Sequence, residues 1–168
     1  MSESTTDPTL DRLLRHMAWA NAALFDRLAE QTDEALAQAS PRNEWTVAMI
    51  LVHLVDAAGG YAARLEGIAR PADGVTPTTV ADLADLGARC TEYDKRLHAQ
   101  AAMPDGPAKY PDPTSIPWPR STVLAQAIHH ATEHRAQIAG ALATNGIDAI
   151  DLDALDLWAF GETEGLGA

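Results

Sequence analysis

The run Val47-Ala48-Met49-Ile50-Leu51-Val52-His53-Leu54-Val55 decides the fold class. By periodicity alone it reads as a buried strand or as the middle of a buried helix. Its continuation separates the two. Asp56, Tyr61, Leu65 and Ile68 carry the pattern far beyond strand length, so the spacing predicts a helix over about 44–69. Asn43 can cap it, with Glu44 and Trp45 setting an acid near the positive end of the dipole. Gly59-Gly60 weakens the middle and allows a neighbour to come close.

The flanking segments repeat the helical theme. Asp7-Pro8 reads as an N-cap and first turn, and Leu10, Leu13, Leu14, Met17, Leu24 and Leu28 then recur at helical steps, predicting a helix over 8–29. Residues 29–43 break the period, with Ser40-Pro41-Arg42-Asn43 as punctuation. Beyond the decisive run, Pro71, Asp73-Gly74 and Pro77 read as a turn, and Thr79-Val80-Ala81-Asp82 as a near capping box. A third helix follows over 79–103, with Leu83, Leu86, Cys90, Tyr93 and Leu97 inward. Six of the ten prolines fall between Pro104 and Pro119, which predicts an ordered loop there. A fourth helix spans 121–144 and stops at Asn145-Gly146 in a left-handed cap. In the short C-terminal segment 147–168, a turn of helix is expected to pack Leu155, Trp158 and Phe160 on the bundle. The expectation is an all-α fold: one domain over 1–168, a four-helix bundle with a long proline-rich loop before the fourth helix, not simply up-down throughout.

Composition supports packed helices and excludes several partners. The chain has 168 residues, 46% hydrophobic and only 5% aromatic, so Ala and Leu carry the core. With 24 acidic against 12 basic residues, the net charge of -12 argues against nucleic acid or an anionic membrane as partner. The single Cys90 forms no intrachain disulfide and reads as a small buried residue rather than a reactive thiol. Residues 1–7 show no signal peptide, and no run approaches the length of a bilayer span. A soluble cytoplasmic protein is expected.

The histidines carry the chemistry. His130 and His134, four apart in the fourth helix, lie one turn above the other on its apolar face. His53 interrupts the most apolar run of the chain, where an unpaired imidazole is expensive, so a partner from another helix is expected. If His53 faces His130 and His134, three imidazoles form a site suited to zinc or nickel with a coordination position left open. From spacing alone, this reading and a hydrogen-bonded cluster without metal both stand. Asp56 is a second sphere group or a solvated acid.

The chain resembles the DinB/YfiT-like family of metal-dependent four-helix bundle proteins. The resemblance rests on Ile50-Leu51-Val52-His53, on His130-Ala131-Thr132-Glu133-His134-Arg135-Ala136-Gln137-Ile138 and on Asp156-Leu157-Trp158. It implies metal ligation by His53, His130 and His134. Where the family usually carries Asn-His-x-x-His-His-Arg-Gly-Gln, this chain has His129 for Asn, Glu133 for His and Ala136 for Gly. The resemblance also implies an activity: a transferase or isomerase that acts on a small electrophilic substrate with a low-molecular-weight thiol.

The alternatives are a metal-dependent hydrolase of a small molecule and a non-catalytic metal- or ligand-binding bundle. No acid lies on the ligand stripe as in His-Glu-x-x-His proteases, which argues against peptide hydrolysis. Glu133 and His129 lie off that stripe, and Arg135 projects near one edge of the site. Gln137 is available to hydrogen-bond a ligand's surroundings. The 104–119 loop is expected to supply substrate contacts, with Trp118 either covering a helix end or walling a pocket. His16 and His98 have no supporting pattern. The Ala-rich faces leave room for a homodimer.

Overall fold

Asp7 caps the first helix as its position suggests, its carboxylate accepting hydrogen bonds from the amides of Thr9 and Leu10 at 2.9 and 3.0 Å. The structure, a computed structural model, describes residues 7–167; residues 1–6, on which most of the expectation of no signal peptide rests, and residue 168 lie outside the described residues. The helices are α1 (Pro8–Ala29), α2 (Asp33–Leu36), α3 (Val47–Glu66), α4 (Leu83–Ala99), α5 (Arg120–Thr144) and α6 (Leu157–Thr163). The long ones, α1, α3, α4 and α5, form a four-helix bundle.

Element ends follow side-chain chemistry. Thr46, not Asn43, caps α3, its hydroxyl accepting from the amide of Met49 at 3.2 Å, so the helix starts later than the sequence predicts. It stops at Gly67, whose φ of 69° is left-handed. At the end of α5 the amides of Gly146 and Ile147 return to the carbonyls of Ala143 and Leu142 at 3.0 Å each, the double bond of a Schellman cap. Two additions were not apparent from periodicity: the short α2, and a two-residue antiparallel pairing of β1 (Pro107–Ala108) with β2 (Trp118–Pro119) in the proline-rich loop.

Within the bundle, α1 and α3 each pack on both α4 and α5 and face one another across the diagonal. Contacts fix the directions. His98 meets Asp11 and Asp94 meets Asn21, so α4 runs antiparallel to α1. Arg89 meets Asp56 and Arg96 meets Glu66, so α3 and α4 run parallel. Parallel neighbours require the chain to return along the bundle between them. Residues 67–79 do this as an extended crossover, and the turn read around Pro71–Pro77 is corrected accordingly. Its thirteen residues reach about 40 Å when extended, enough to run back along a helix of α3's length, about 30 Å.

The core is aliphatic, with Leu14, Leu24, Ile50, Leu51, Leu97, Ile138 and Leu142 almost wholly buried. Gly59 lets α4 approach α3: a Cβ there would lie 2.8 Å from the ring of Tyr93. Contrary to expectation, α3 has the length and composition of a bilayer span, with a mean hydropathy of 1.2 over its best window. Yet most of that stretch is buried inside the bundle, as befits a core helix. In the C-terminal segment Leu155 and Phe160 pack inward, but Trp158 is 84% exposed, which corrects the expectation that it joins them.

Candidate metal centre

His53 on α3 and His130 and His134 on α5 converge, with ligand atoms all within 4.8 Å of one another. The Nε2 of His130 lies 3.2 Å from Nε2 of His53 and 3.0 Å from Nε2 of His134. Two imidazole nitrogens on a tetrahedral zinc, each bonded at 2.0–2.1 Å, sit about 3.3 Å apart. The donor set and spacing therefore fit a divalent metal. No fourth His, Cys, Asp or Glu joins the group among the described residues.

Hydrogen bonding alone satisfies this cluster poorly. Gln137 donates its amide to Asn43 Oδ1 at 3.0 Å and, more weakly, to Ser40 Oγ at 3.4 Å. Its oxygen Oε1 is thereby turned to accept from His134 Nδ1 at 2.9 Å. That bond puts the His134 proton on Nδ1 and leaves a bare lone pair on Nε2. His130 Nε2 then has one proton at most for two neighbours, so one of the two close contacts lacks its full hydrogen bond. A cation accepting all three lone pairs resolves the conflict.

Burial reinforces the neutral, ligating form. The His130 pKa is lowered to about 4, first by burial and then by His134 and His53. His53 is lowered by burial and then by His134. The Trp45 ring meets His53 edge-on at 5.0 Å between centroids, and Tyr61 meets His130 likewise at 5.7 Å.

A cleft of about 570 Å³ opens on His53 and His134, with Ser40, Arg42, Asn43, Trp45 and Glu133 among its lining. That volume suits a small molecule. Its rim comes from the segment before α3, where Glu44 holds a φ of 60°. The 104–119 loop contributes nothing to this lining: Trp118 instead walls a separate hollow with Pro107, Pro117 and Pro119. Sequence reading placed Trp45 only in the first turn of the helix predicted over about 44–69. Its position just before the most apolar helix was the available signal.

Other candidates fall outside the site. Asp56 accepts twice from the Gly74 amide at 2.9 Å and pairs with Arg89 at 3.2 Å, which ties down the crossover. Arg135 is buried, not at the site's edge; it donates to Asn21 Oδ1 at 2.7 Å and Thr132 Oγ1 at 3.1 Å. Glu133 reaches the cleft and is exposed, as is His129 on the same helix. His16 Nε2 meets the carbonyl of Leu155 at 2.8 Å, and His98 pairs with Asp11. Cys90 is buried, and burial raises its thiol pKa well above the ordinary value.

A model described as the DinB family matches residues 1–163. Among solved structures, the chain is similar to a DinB-like protein from Bacillus cereus ATCC 10987, with a TM-score of 0.65 and 19% identity over 90% of this chain and 99% of that one. At that identity the likeness speaks to the fold alone. No curated protein matches the chain.

Proposed function

The chain belongs to the DinB family, and we propose that it binds a divalent metal, zinc or nickel, through Nε2 of His53, His130 and His134. We further propose that it is a transferase or isomerase that uses a low-molecular-weight thiol on a small electrophilic substrate. The observation that carries the metal is the convergence of three Nε2 atoms at 3.0 and 3.2 Å with protons for only one hydrogen bond. The thiol chemistry is supported by the family resemblance, and the open side of the site by the cleft over His53 and His134. A bound divalent ion supplies Lewis acidity that lowers the pKa of a thiol or water.

The chain's own residues prepare that site. Gln137 holds His134 in the ligating tautomer, and Trp45 limits rotation of the His53 ring. Ser40, Arg42 and Asn43 offer polar contacts to substrate, while Trp45 offers an apolar wall. Glu133 is the carboxylate in the cleft available to take a proton from thiol or water. Its presence there also favours a second reading, hydrolysis of a small ester or amide.

Protein purified without an affinity tag should carry close to one zinc or nickel per chain, and His53→Ala should lose it. Absence of metal even after reconstitution overturns the proposal. Turnover of a chlorodinitrobenzene acceptor that requires added thiol supports transfer; turnover of a nitrophenyl ester without thiol selects hydrolysis.

A further inference from the structure

Behind the three histidines, on the side away from the cleft, the bundle buries a polar chain that neither reading uses. Arg135 Nη1 donates to Asn21 Oδ1 at 2.7 Å, and Asn21 Nδ2 donates to Asp94 Oδ2 at 3.0 Å. The Cys90 thiol points its weak donor at the same oxygen from 3.7 Å. Asp94 is 2% exposed, yet its other oxygen, Oδ1, has no hydrogen-bond partner among the described residues. A buried carboxylate oxygen left so is costly, and such atoms are normally served by an internal water.

The space for that water is present. Asp94 and His130 both line a small cavity of about 10 Å³, together with Asn21, Tyr61, Leu54 and Ala58. This is room for a single water molecule. His130 turns its Nε2 toward His53 and His134, and its Nδ1 has no hydrogen bond among the described residues. The polarity is complementary. A ligating His130 carries its proton on Nδ1 as a donor, whereas Asp94 Oδ1 is an acceptor, and water can serve both.

The geometry points to Asp94 as a positioning residue for His130, acting through one buried water that accepts from His130 Nδ1 and donates to Asp94 Oδ1. The inference rests on the metal reading for its purpose but not for its test. It gives each helix-five histidine its own support: Gln137 directly for His134, and Asp94 through water for His130. Asn21, Cys90 and Arg135 then serve to hold the Asp94 carboxylate, whose Oδ2 must remain an acceptor.

Asp94→Asn tests this, because the shape is kept and the polarity reversed. With Oδ1 of the new amide facing Asn21 and Cys90, its Nδ2 donates into the cavity, and the water must donate to His130. In metal-free protein, ring-nitrogen NMR should show His130 as the Nδ1–H tautomer in the wild type and shifted toward Nε2–H in the variant. Zinc affinity should fall about 10–100-fold, as for loss of other ligand-orienting groups. Asp94→Ala should lose affinity similarly without imposing the Nε2–H form. An unchanged His130 tautomer and unchanged zinc affinity in folded Asp94→Asn overturn the inference. If wild-type protein binds no zinc at all, the metal proposal fails, while the tautomer measurement still decides the role of Asp94.

Discussion

His130, His53 and His16 are all held toward the neutral form, in each case chiefly by burial. This has a consequence for metal-free protein. Well above pH 6.5 these imidazoles bind no protons in either the folded or the unfolded chain, so they add no pH dependence there. As pH falls below 6.5, the unfolded chain takes up protons that the folded chain resists, and stability drops until about pH 4, where His130 itself protonates. Partial exposure of His53 and His130 reduces the size of the effect. Asp94 opposes it: burial raises its pKa to about 6, so between pH 6 and 3.8 the folded state gains a proton the unfolded state lacks. The histidines outnumber it, and the urea midpoint of metal-free protein should be lower at pH 5 than at pH 7. His130→Gln should shrink that difference. A midpoint that rises on acidification would show that the rings are not held neutral.

At the scale of elements, the crossover between α3 and α4 distinguishes this bundle from an up-down one, and its anchor is Asp56. Gly74 lies so close to α3 and α4 that a Cβ would come within 2.5 Å of Arg89 Nη1 and 3.0 Å of Val52 Cγ2. The Gly74 amide can therefore reach both carboxylate oxygens of Asp56. Asp56→Asn keeps one acceptor but loses the charge that faces Arg89, and should cost about 1–2 kcal/mol in urea unfolding. Zinc content should not change, because the carboxylate is spent on the crossover. A large loss of zinc affinity at unchanged stability would instead return Asp56 to the metal site. The crossover was illegible in sequence for a physical reason. Pro71, Gly74 and Pro77 forbid helix but fit a turn and an extended strap equally, and only the parallel pairing of α3 with α4 selects the strap.

For the molecule as a whole, legibility followed periodicity. Leucine spacing exposed the bundle helices, and the cost of an imidazole inside Val47–Val55 brought His53 together with His130 and His134. The cleft rim at residues 40–45 has no period, and the support behind His130 involves an acid four residues after Cys90 on an apolar stripe, a signal visible only once Asn21 is seen opposite. In the sequence the net charge served only to argue against polyanionic partners, and the tail adds a structural role: Glu164 pairs with both Arg12 and Arg15, which joins the C-terminal end to α1. These pairs and the net charge of -12 respond oppositely to salt. Raising ionic strength from about 0.01 to 0.15 M shortens the Debye length from about 30 to 8 Å. Direct ion pairs lie well inside either distance and, being partly exposed, are worth at most about 1 kcal/mol each. Repulsion among acids spread across the surface acts over the longer distance and is largely removed. Salt should therefore raise Tm over this range, and Glu164→Gln, which loses both pairs, should rise in parallel from a baseline within about 2 kcal/mol of wild type. A Tm that falls with salt would mean that the few pairs at α1 outweigh the excess negative charge.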